Sequence, residues 1–130
     1  MSLDAGIYAL LHGDATVAGL VNTRIYPTQL PEDCNWPAIL YTRPETSRQA
    51  TFDTAGIVKL TLRVGCYGST VVRVKALADA VMNKLADYRG LADDVKILDC
   101  MFVDEQEGWD YEKSELGIYW RELNFQIFHR

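Results

Sequence analysis

Histidine is nearly missing from this chain: only His12 and His129 occur among its 130 residues. Neither belongs to an H-E-x-x-H pattern, and Cys34, Cys66 and Cys100 form no C-x-x-C pair, so zinc held at the usual ligand spacings is excluded. Three widely separated cysteines also make no disulfide framework. They fit reduced thiols in a cytoplasmic setting, with Cys66 and Cys100 serving as small hydrophobes inside apolar runs. No apolar run approaches the ~20 residues of a membrane span, and no leader pattern is visible. Basic residues are outnumbered, 13 Lys and Arg against 18 Asp and Glu, for a net charge of −5. A chain without a basic stripe does not bind duplex tightly by neutralising phosphates. Internal repeats and low-complexity linkers are missing too, so residues 1–130 read as a single domain.

What is present is a globular composition, 48% apolar and 24% charged, with three tryptophans and seven tyrosines. A domain of this size buries roughly two-thirds of its unfolded surface and needs no covalent staple.

The periodicities predict an order of elements. Ser2 can cap a first helix with Ile7, Leu10 and Leu11 on one face, ended by Gly13. Asp14 caps a second short piece with Val17, Leu20 and Val21 as its apolar side. Pro27, Pro31 and Pro37 keep the following stretch extended, and Trp36 is expected to cover a sheet edge. Ala38 to Arg43 is a compact strand that Pro44 should end, with a long loop over 44–56. From Ile57 to Tyr67, the residues Val58, Leu60, Leu62, Val64 and Cys66 alternate with Lys59, Thr61, Arg63 and Gly65, the period of a half-buried strand. Thr70 to Tyr88 is the strongest helix, with Val74, Leu77, Ala78, Val81 and Leu85 on one stripe and Ser69 as its cap. Val95 to Val103 is apolar on both faces except for Asp99 and reads as a central strand. Asp104 to Glu115 reads as an acidic loop, and about Leu116 to Phe128 as the last strand. Successive strands joined by loops favour antiparallel pairing. The expected fold is therefore α+β with two layers: an antiparallel sheet of about four strands, one long helix packed on it, and a short helical segment at the N-terminus.

The search for chemistry yields little. Asp53-Thr54-Ala55 departs from the Asp-Thr-Gly turn of aspartic proteases at the glycine. Gly65 to Thr70 lacks the lysine and spacing of a phosphate loop. The acidic stretch after Val103 lacks the D-x-[DN]-x-[DN]-G calcium pattern. With general acid and base equipment missing, the chain is not expected to be an enzyme, and no cofactor is expected. The residues alone describe an α+β domain without a visible active site, which leaves a bacterial small-ligand or peptide-binding module open.

Four short motifs in a fixed order narrow this. They are Ile7-Tyr8-Ala9-Leu10-Leu11 with Asp14 to Val21; Thr23-Arg24-Ile25-Tyr26-Pro27 with Leu30-Pro31 and Trp36-Pro37-Ala38-Ile39-Leu40-Tyr41; Arg63-Val64-Gly65-Cys66-Tyr67-Gly68 leading into Ala76 to Val81; and Gly117 to Ile127. In this order the chain resembles the phage tail completion family, whose members join tail to head. The resemblance implies a structural virion protein at the tail–head junction, present in the host cytoplasm during assembly. It implies self-association in a ring, a hexamer as in tail terminators, between a tail tube protein and a head connector protein. With short apolar runs and a net charge of −5, neither a membrane nor sequence-specific nucleic acid is expected among its partners. A head completion or connector subunit is the neighbouring alternative. Loops are the natural contact devices of such a subunit. Arg48, Gln49, Phe52 and Trp109 are the expected assembly contacts. Asp104, Glu105, Glu107 and Asp110 are expected on an acidic loop facing a channel, where carboxylates would repel the DNA backbone.

Overall fold

The computed structural model describes residues 3–32, 34–48, 57–93, 95–110 and 117–129. Among them the order is α1 (Leu3–His12), α2 (Ala15–Val21), β1 (Ile25–Pro27), β2 (Ala38–Arg48), β3 (Val58–Gly68), α3 (Val71–Leu85), β4 (Gly90–Ala92), β5 (Val95–Asp110) and β6 (Ile118–His129). The strands form a single six-stranded sheet in the order β1-β2-β3-β6-β5-β4. The sheet is mixed, because β1 runs parallel to β2 while every other pair is antiparallel.

This corrects the expected four-stranded antiparallel sheet with one long helix. Two strands, β1 and β4, are three residues each, too short to show a period of two. The Thr28–Pro37 connection is long enough to carry the chain back, so that β1 and β2 point the same way. Pro44 does not end β2, which continues to Arg48 past a register shift between Thr42 and Glu45. A bulge is one of the places where a strand tolerates proline. The residues from Asp104 to Asp110 are not a loop but the far half of β5, paired with β6 from Asn124 to Ile118. Nor is β5 central along its length: β4 pairs only with Val95 to Ile97, leaving the rest of its outer side without a neighbouring strand among the described residues.

The three helices feed one core. Ile7 and Leu11 of α1, Val17 and Val21 of α2, and Val74, Leu77, Val81 and Leu85 of α3 are buried in one cluster with Leu60, Leu62 and Val64 of β3 and Leu123, Phe125 and Ile127 of β6. The pairs Leu60↔Ile127, Leu62↔Phe125 and Val64↔Leu123 put these strand residues on the same face, since directly opposed residues share a face. The helix caps are local. Asp14 accepts hydrogen bonds from the backbone N–H of Thr16 and Val17, and Thr70, rather than Ser69, accepts from Arg73 N–H to start α3. Each such cap contributes about 1 kcal/mol. α3 stops at Leu85, short of Tyr88, whose hydroxyl donates to Leu91 O and ties the turn to β4. Ile118 and Ala38 are buried but lie outside the main cluster, on the opposite face. There Trp36 and Tyr67 pack with ring centroids 6.4 Å apart.

Candidate assembly surface

Cross-strand pairing decides where the acidic residues of β5 point. Glu105 opposes Leu123, Glu107 opposes Arg121 and Trp109 opposes Tyr119, so these three stand on the helix-covered face. Asp104 opposes Asn124 and Asp110 opposes Ile118, which puts both on the other, open face. The four carboxylates expected on one channel loop are therefore split between two sides of a sheet. The reason is the period of two, extended across a register shift between Phe102 and Asp104.

On the helix-side face the carboxylates are engaged. Glu107 Oε2 accepts hydrogen bonds from the Tyr119 hydroxyl at 2.7 Å and from Arg121 Nη2 at 2.6 Å. Arg121 Nη1 lies 3.7 Å from Glu105 Oε2. The Tyr119 hydrogen bond, followed by that of Arg121, holds the Glu107 carboxyl below the ordinary glutamate range. Burial, with the same hydrogen bond, pushes the Tyr119 phenol up. Both directions describe one state: a charged carboxylate between a neutral phenol and a guanidinium. The node clamps β5 to β6 and, with its acceptor committed, is not poised for proton transfer.

The open face carries a second ladder. Asn124 Nδ2 donates to Asp104 Oδ1 at 2.6 Å, Arg63 Nε donates to Asn124 Oδ1 at 3.2 Å, and Arg63 Nε lies 3.5 Å from Glu122 Oε2. Thr61 and Gln126 continue this polar row through their pairing across β3 and β6. Beside it, Thr28, Leu30, Glu32, Trp36, Leu40 and Tyr67 line an open depression of about 520 Å³.

The outer part of β5 also exposes apolar side chains among its acids. Met101 is 45% exposed, Val103 57% and Trp109 46%. Trp109 leans on Tyr119 with centroids 5.4 Å apart, and Phe102 meets Phe125 edge-on at 5.8 Å. Of the expected contacts, Trp109 thus sits on the rim of the sheet and Arg48 at the end of β2. Gln49 and Phe52 lie outside the described residues. Met101, Phe102, Val103 and the Tyr119–Arg121 node were not singled out in the sequence. The alternation of Glu105, Glu107 and Trp109 with Asp104, Gln106 and Gly108 was the available signal, masked by the low strand propensity of acidic residues.

Among the described residues, no three of His, Cys, Asp and Glu group as metal ligands would, and no helix is long and apolar enough to cross a membrane. Hydrogen-bonded ion ladders and exposed sheet rims are the equipment of a protein that acts through surfaces. Comparison with known proteins gives the class a family. Residues 5–130 match the family of tail completion protein gp17, and the chain belongs to it. It is a structural protein of a tailed phage, completing the tail at its junction with the head, and the non-catalytic assignment rests on that membership. Its fold is similar to a chain of the virion of native gene transfer agent (GTA) particle, at TM-score 0.81 and 17% identity over 98% of this chain and 94% of that one. No curated protein matches it.

Proposed function

We propose that copies of this chain close into a ring, six by resemblance to tail terminators, seated between the tail tube protein and the head connector protein, with the open face of the sheet turned to the channel. The observation that carries this is the division of the two faces. Helices cover one side with a continuous apolar core, while the other bears the Arg63–Asn124–Asp104 ladder with Glu122 and Asp110. Around that ladder the carboxylates of Asp104, Asp110 and Glu122 outnumber the guanidinium of Arg63, with Lys59 farther along the same face, and an excess of negative charge repels a phosphate backbone and lets it slide. Asp104 and Asp110 take the channel role. Glu105 and Glu107 instead brace β5 against β6. Trp109, Arg48, Gln49 and Phe52 are assigned to contacts with neighbouring subunits or stacked partners. The supporting test is Asp104→Asn with Asp110→Asn in assembled particles. Head–tail joining should proceed, and genome release should slow. An unchanged release rate would remove the channel role, and failed joining would make the two aspartates assembly contacts.

A further inference from the structure

The sheet ends in two incomplete strands. β1 covers β2 only from Ile39 to Tyr41, so the outer side of β2 has no neighbouring strand from Thr42 to Arg48 among the described residues. At the other end of the sheet, β4 covers β5 from Val95 to Ile97. The Asp87 N–H then donates to the Cys100 carbonyl, and Arg89 lies 3.7 Å from Asp99. Beyond that, from Met101 to Asp110, the outer side of β5 has no neighbouring strand among the described residues.

A bare edge of this length is a pairing template, and proteins blunt such edges with charge, bulges or brevity. β5 has acidic residues and a bulge at Val103, yet Met101, Phe102 and Val103 stand exposed in a row. An edge that was merely protected would not keep three large apolar residues there. Three antiparallel steps, β2 to β3 to β6 to β5, leave β2 and β5 running in opposite directions. A second copy set beside the first in the same orientation therefore brings its β2 antiparallel to β5, the stronger pairing sense. Charge agrees. Among the described residues, Glu105 and Glu107 both pair with the guanidinium of Arg121. The β2 edge carries two arginines along its sequence, Arg43 within its register shift and Arg48 at its end.

We propose that the β5 edge from Met101 to Asp110 receives the β2 edge, Thr42 to Arg48, of a second copy of this chain, so that the sheet continues from subunit to subunit. Two different edges meet, so the contact is head-to-tail: it repeats from copy to copy and gives a ring where the rotation closes, not a two-fold dimer. The inference deepens the ring reading above and depends on it.

The test is native mass spectrometry of the purified full chain over a concentration series, with three samples: wild type, Val103→Lys, and Arg43→Glu with Arg48→Glu. Wild type should form closed oligomers. Each variant alone should need on the order of tenfold or more higher concentration to do so. An equimolar mixture should give a heterodimer that grows no further, because only one intact β5 edge and one intact β2 edge remain to meet. Thermal melting checks that each variant is folded, and Met101→Lys replaces Val103→Lys if the latter melts early. Wild-type-like rings from both folded variants would overturn the edge pairing and leave the ring reading standing. A wild type that stays monomeric throughout would overturn the edge pairing as a contact the chain makes by itself, and leave a ring that closes only on the tail tip.

Discussion

Two glycines in helices provide a test in which one substitution should have opposite signs. Gly19 lies inside α2, and a Cβ there would meet nothing within 4 Å. Gly19→Ala should stabilise by about 0.5–1 kcal/mol, since alanine loses less backbone entropy in a helix. Gly6 lies inside α1 where the helix crosses β4, and its Cβ would sit 2.5 Å from Ala92 O and 2.9 Å from Ala92 Cβ. Both obstacles belong to a short strand, backbone oxygen and first side-chain carbon, with no flexible end to swing away. The helix must retreat by roughly 1 Å, and overpacking of this kind costs about 1–3 kcal/mol. Against a gain of about 1 kcal/mol in propensity, Gly6→Ala should be neutral to destabilising by about 2 kcal/mol. At roughly 4 °C per kcal/mol, the melting temperatures of the two variants should part by several degrees, Gly19→Ala above wild type and Gly6→Ala at or below it. Thermal unfolding followed by circular dichroism reads both. A Gly6→Ala variant stabilised as much as Gly19→Ala would mean that α1 does not press on β4 as described.

Further outcomes follow from the same structure. The Glu107 carboxyl has its folded pKa depressed by Tyr119 and Arg121. Its contribution is therefore fully present above the unfolded value of about 4.3 and is lost as pH falls through the lower folded value. The stability difference between wild type and Glu107→Gln should accordingly be present at pH 7 and shrink on acidification, as denaturant titrations at several pH values would show. A difference independent of pH would remove the charged node. Burial pushes the thiols of Cys66 and Cys100 up to about 12, whereas Cys34 is half-buried. A thiol reagent at pH 8 should label Cys34 first and reach the other two only on unfolding, because the thiolate is the reacting species. Rapid labelling of all three in the native protein would contradict the core described. Mass spectrometry of labelled peptides separates the cases.

The sequence by itself determined what a single element's periodicity can carry. The three- and four-residue spacing of Val74, Leu77, Val81 and Leu85 places α3, and the alternation from Val58 to Cys66 places β3, because each pattern is written within one element. The Asp14 cap and the buried roles of Cys66 and Cys100 were legible for the same reason. The order of motifs along the chain was enough to indicate the family. The tertiary structure decided what depends on partners distant in sequence. Glu105 and Glu107 are held in a strand by β6, where Arg121 compensates their charge and the Tyr119 hydroxyl donates to Glu107. Local propensity sees only the acids and reads a loop. The three-residue β1 and β4 exist as strands only through the neighbours they pair with. The separation of Asp104 and Asp110 from Glu105 and Glu107, and the two edges left without a neighbouring strand among the described residues, follow from the register of pairing. Register is a relation between strands, fixed by how the two hydrophobic faces meet.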